Sequence, residues 1–175
     1  TQDTPREAVC QVFEKVNTGG VTLTVFELMT ATFAADEFNL RDDWEARQER
    51  LTAKHDVLTA VDGTSFLTAV TLLASYRRHK VQSTPVSCKR ADVLKLPLVD
   101  FKALESDLEK GFKRAAELLA EEKIFDDRSL PYATQLIPLS AICAHLADRT
   151  TQHGVKQKLL RWYWSGVLGE LYGGA

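Results

Sequence analysis

The sequence predicts an all-α fold, an irregular multi-helix bundle of about seven helices in one domain over residues 1–175. Three observations predict it. Helix-start signals recur: Thr4-Pro5-Arg6-Glu7, Thr24-Val25-Phe26-Glu27 and Asp62-Gly63-Thr64 each place a capping side chain ahead of an apolar run. Apolar residues in those runs return at i, i+3, i+4 and i+7, the spacing of one helix face. No segment reads as a convincing strand; the best candidate, Val21-Thr22-Leu23, is too short. Short connections favour antiparallel neighbours.

The elements follow in order. Thr4 caps the first helix, Pro5 suits its first position, and Val9, Val12, Phe13 and Val16 make its apolar face. Asn17-Thr18-Gly19-Gly20 ends it, glycine supplying the left-handed conformation of a helix exit. Thr24 and Glu27 form a capping box for the second helix, and Leu23 with Leu28 has the spacing of a hydrophobic staple. Residues Asn39 to His55 read as a third, largely solvated helix, with Asp42, Asp43 and Glu45 near its positive end. Asp62 opens a fourth, which runs through Phe66, Leu67, Val70 and Leu73 to Arg77-Arg78-His79-Lys80. Ser83-Thr84-Pro85 is a loop, and a short helix covers Lys89 to Leu96. Phe101, Leu104, Leu108, Phe112, Ala115 and Leu119 define a long amphipathic helix ending near Lys123. Leu130-Pro131-Tyr132 starts another, with a kink expected at Pro138. After a polar break from Thr150 to Gly154, Val155 to Tyr172 is the last helix.

Composition narrows the function. Hydrophobic residues are 45% and charged residues 26%, which argues against wholesale disorder. No run approaches the ~18–20 apolar residues of a membrane span. The net charge of −2 argues against binding nucleic acid by bulk charge alone. Cys10, Cys88 and Cys143 are an odd, scattered set, unlike a disulfide scaffold and fitting a cytoplasmic protein. The chain has no signal-peptide pattern and no starting Met, and is expected to be a piece of a longer protein.

Little in the sequence suggests chemistry. His55, His79, His145 and His153 match no zinc spacing, and no GxSxG occurs, so no metal ligand and no catalytic residue is assigned. The acidic pairs sit at helix ends. The basic groups Arg77-Arg78-His79-Lys80, Lys89-Arg90, Lys110-Lys113-Arg114 and Lys156-Lys158-Arg161 read first as solvated surface. Trp162-Tyr163-Trp164 reads first as core packing, because neighbouring helix positions face different ways. The loop Asn17-Thr18-Gly19-Gly20 stands apart. Consecutive backbone N–H groups there suit an anion, and the following helix directs its positive end nearby. From physics alone, a plain connector explains it as well.

The run VFEKVNTGGVTLTVFELMTATFAA, from Val12 to Ala35, resembles the Phe-Glu-x-x-Asn-Thr-Gly-Gly…Leu-Thr…Glu-Leu signature of the GmrSD-type restriction protein N-terminal domain family. LPYATQLIPLSAI (Leu130 to Ile142) and RWYWSGVLGELYGGA (Arg161 to Ala175) are similar to later blocks of that family, in the same order. The resemblance implies the helical second half of that domain. It implies an upstream ParB/sulfiredoxin-like nucleotide-binding half with an Asp-Gly-Gln-Gln-Arg motif, and in many members a downstream HNH nuclease region; neither is in this sequence. Asn17, Thr18, Gly19 and Gly20 would then approach a nucleotide site completed by that upstream half. The function implied is the helical portion of an NTP-regulated, modification-dependent DNA restriction and phage-defence protein. No cofactor belongs to this piece; an NTP and Mg²⁺ belong to the full-length protein, as does any DNA partner, and no membrane is involved. Alone, the chain is expected to be inert. The alternative is a non-catalytic helical interaction module that docks a protein partner or DNA. A further alternative is an oligomerisation domain using the Trp162–Leu171 helix.

Overall fold

The structure, a computed structural model, describes residues 23–173. Those residues form an all-α bundle of seven α-helices joined by short loops and 3-10 turns, with no strand among them. The helices are α1 (Val25–Ala34), α2 (Leu40–Thr52), α3 (Gly63–Gln82), α4 (Arg90–Val93), α5 (Leu98–Glu121), α6 (Leu136–Leu146) and α7 (His153–Leu168). The expected first helix, Thr4 to Val16, and the loop Asn17 to Gly20 lie outside the described residues. No described helix is long and apolar enough to cross a membrane.

The starts of the helices are fixed by side chains, as their sequences require. Thr24 Oγ1 accepts the Glu27 N–H at 3.2 Å, and a Glu27 carboxylate oxygen accepts the Thr24 N–H at 2.7 Å, closing the capping box of α1. Asn39 accepts the Asp42 N–H at 3.2 Å to open α2, and Asp62 accepts the Ser65 N–H at 2.7 Å to open α3. Asp92 holds the start of α4, accepting from the Lys89 N–H at 2.9 Å and the Ser87 hydroxyl at 2.5 Å. Ser83 closes α3 with φ 53°, its N–H bonded to the His79 carbonyl.

α5 crosses the middle of the bundle. The six positions that define its apolar face, from Phe101 to Leu119, are all buried. Around it sits a chain of rings. Phe101 lies 5.4 Å from Phe33, 5.7 Å from Phe38 and 6.4 Å from Phe66, centroid to centroid; Phe66 stacks on Phe112 at 5.8 Å. These tilted, edge-on and stacked arrangements are the ones that ring quadrupoles favour.

Three expectations need correction. α2 is more than a solvated helix: Leu40, Trp44, Arg47 and Leu51 form a buried seam along its otherwise solvated surface, and Trp44 meets Phe66 at 5.6 Å. Pro138 falls in the first turn of α6 rather than inside a longer helix, which removes the reason to expect a kink. A 3-10 turn at Ala133–Gln135 delays its start to Leu136, so Pro138 is its third residue. A first-turn N–H has no partner within the helix, so its loss breaks no ladder bond there. α7 stops at Leu168 rather than Tyr172, because Glu170 turns to φ 52° and the Leu171 N–H bonds back to the Gly166 carbonyl at 3.1 Å.

α5 and α6 touch through backbone. A Cβ on Gly111 would stand 2.4 Å from the Ser140 carbonyl oxygen and 2.9 Å from the Ala144 nitrogen. Neither atom can swing aside. Gly111→Ala is therefore expected to destabilise the protein by about 1–3 kcal/mol through overpacking, despite alanine's better helix propensity. Urea denaturation checks it; a neutral or stabilising change would mean that the helices sit further apart than this.

Candidate functional site

The sequence-derived site, Asn17, Thr18, Gly19 and Gly20, lies outside the described residues. What the structure gives is its downstream flank. The second half of the signature motif is a helix start: Thr24 and Glu27 cap α1, while Leu28 and Met29 are buried beneath it. Backbone and capping hydrogen bonds hold the Glu27 carboxyl below its ordinary range. This fixes the positive end of α1 four residues beyond Gly20.

The remaining candidates resolve individually. Among the basic groups, Arg77 pairs with Asp107 at 3.0 Å, Lys113 with Glu109 at 2.9 Å, Arg114 with Asp148 at 2.8 Å and Lys156 with Glu121 at 2.6 Å. Trp162 and Trp164 are half-buried, and Trp164 Nε1 donates to Glu122 at 2.8 Å; Tyr163, between them, is fully buried. Burial pushes the Cys143 thiol up to about 12 and raises Cys88 as well, so neither is a thiolate at neutral pH. No group of three or more His, Cys, Asp or Glu among the described residues is placed to hold a metal ion.

An ionic cluster that the sequence did not single out joins α2 to α5. The Arg47 guanidinium, only 3% exposed, reaches Asp43 at 3.0 Å, Glu105 at 2.6 Å and Glu109 at 2.9 Å, and lies over the Phe66 ring at 5.0 Å. Arg50 and Lys113 reach Glu109 from the outside, each at 2.9 Å. The i, i+4 spacings of Asp43 with Arg47 and of Glu109 with Lys113 were a visible signal; that the two helices pool them was not. Burial alone would raise the Glu109 carboxyl, but hydrogen bonds from Arg50 and Lys113 outweigh it and hold the group at about 2. At Glu105, burial wins against the pull of Arg47 and the carboxyl is raised. The carboxylates spend their acceptor sites on neighbouring cations, so the cluster is a fastening between helices rather than a reaction centre.

The cluster has a pH signature. A carboxyl lowered on folding contributes stability that is present above its ordinary value of 4.5 and is lost as the pH falls towards about 2. Glu105, shifted upward, works in the opposite sense. Glu109→Gln is therefore expected to flatten the acid limb of the melting temperature between those two values. An unchanged slope in the variant would mean that Glu109 is ordinary in the fold.

An apolar groove of about 350 Å³ lies between α3 and α6, walled by Leu72, Leu73, Val86, Pro138, Ala141, Ile142 and Leu146. Tyr76 and His145 meet edge-on at one end of it, 4.9 Å apart. Partial burial lowers the His145 pKa, and the cations Lys80, Arg77 and Arg149 lower it further.

Compared with known proteins, the chain matches no family model, no curated protein and no solved structure.

Proposed function

We propose that this chain is the helical portion of an NTP-regulated, modification-dependent DNA restriction and phage-defence protein of the GmrSD type, located in the cytoplasm. In this reading Asn17, Thr18, Gly19 and Gly20 complete a nucleotide pocket built mainly by an upstream ParB-like half. The observation that carries it is the division of labour within one motif. Thr24, Glu27 and Leu28 are occupied in starting and seating α1, with Thr24 and Glu27 engaged in the cap itself. Asn17 and Thr18 stand upstream of that cap, with two glycines between them and the helix. Amide and hydroxyl groups, bare backbone and a helix dipole are what phosphate recognition draws on. The NTP and its Mg²⁺ would be held largely by the upstream half, and an HNH region would cut the DNA.

Four cations of the basic groups, Arg77, Lys113, Arg114 and Lys156, are held in ion pairs, which weakens a reading in which those groups dock DNA through charge. The test is Asn17→Ala in a protein carrying the upstream half. NTP turnover is expected to fall at least about tenfold, the loss of roughly one charged-group hydrogen bond, with the melting temperature unchanged. Unchanged turnover with a lowered melting temperature would make the loop a structural turn and leave the interaction module as the better account.

A further inference from the structure

We propose that the groove between α3 and α6 binds a small amphiphile with an apolar chain and one carboxylate head, of the medium-chain fatty-acid class. The groove's volume, about 350 Å³, is that of a small-ligand site rather than of a packing defect. Its composition is graded along its length. The walls are aliphatic, and its two polar residues, Tyr76 and His145, meet at one end. Leu72 to Tyr76 is about one turn of α3 and Ala141 to His145 about one turn of α6. Both polar tips therefore sit at the same end of the trough.

That end is cationic. Lys80 follows Tyr76 by four residues and so lies on the same face of α3, one turn further out. Arg77 is next to Tyr76, and Arg149 follows Leu146, the last residue of α6, by three. Lys80 and Arg149 have no ion pair among the described residues, whereas Arg77 is held by Asp107. The charges that act on the His145 ring are all cations. Helix dipoles explain a cation at the end of α3 or α6 taken singly. They do not explain an aliphatic trough whose polar end, at His145, lies within the field of three of them. An acyl chain lying towards Leu72 and Pro138 would put its carboxylate at Tyr76, His145 and Lys80.

The experiment is calorimetric titration of the full chain with decanoate, decanol and decyltrimethylammonium, each below its micelle concentration. Decanoate is expected to bind saturably, one per chain, and at least about tenfold tighter than the other two. Lys80→Glu, an exposed change that leaves the fold alone, is expected to remove that preference while sparing decanol. Ile142→Trp, or the exposed Val86→Trp if the first disturbs folding, is expected to abolish binding of both. Equal affinity for all three probes, binding indifferent to the groove variants, or no saturable binding would each overturn the proposal.

Discussion

Arg47→Ala is expected to destabilise the protein by about 3–5 kcal/mol, the cost of removing one partner from a buried ion cluster. The guanidinium is 3% exposed, and three carboxylates from two helices converge on it. Truncation leaves Asp43 and Glu105 facing each other without a cation between them, and only Glu109 retains its outer partners, Arg50 and Lys113. It also uncovers the Phe66 ring, over which the guanidinium lies. Arg47→Lys should recover only part of the loss, because one ammonium lacks the fork that spans Asp43, Glu105 and Glu109 together. Urea denaturation of the three proteins checks this. A loss under about 1 kcal/mol for the alanine variant would rank the cluster with ordinary surface pairs.

Phe101→Ala carries a comparable expectation, about 3–5 kcal/mol for deleting a fully buried ring. The ring is 0% exposed and is the one that touches Phe33, Phe38 and Phe66 together. Those three come from α1, the turn after it, and α3, so the deletion would loosen three segments at once. Phe101→Leu should restore much of the stability, since it refills most of the volume. A loss within about 0.5 kcal/mol, the range of surface substitutions, would mean that the aromatic cluster is not the centre of the core.

Local rules made much of the fold legible. Thr24 with Glu27, Asn39 and Asp62 cap helices where their side-chain chemistry says they should. The face of α5 follows its 3.6-residue period from Phe101 to Leu119. The errors came where tertiary context overrode local pattern. α2 looks solvated because the middle of its buried seam is an arginine, and that arginine is buried only because α5 supplies Glu105 and Glu109. The effect of Pro138 depended on its distance from the helix start, and a 3-10 turn moved that start by several residues. Gly111 looked like any helical glycine; its role depends on Ser140 and Ala144, about thirty residues away in the chain. The groove was hidden for the same reason. Leu72, Tyr76, Ile142 and His145 belong to two separate helical patterns, and only packing brings them together. The loop from Asn17 to Gly20 was legible as a motif and lies outside the described residues.

The contact at Gly111 bears on how the bundle can move. Helices that meet through interlocked side chains can slide by small steps as rotamers adjust. Where Gly111 meets the Ser140 carbonyl, no side chain lies between the two backbones to adjust. That contact resists axial sliding of α5 against α6. α3 meets α6 along the groove instead, an interface with free volume and aliphatic walls. The geometry leaves more room for small adjustments between α3 and α6 than between α5 and α6.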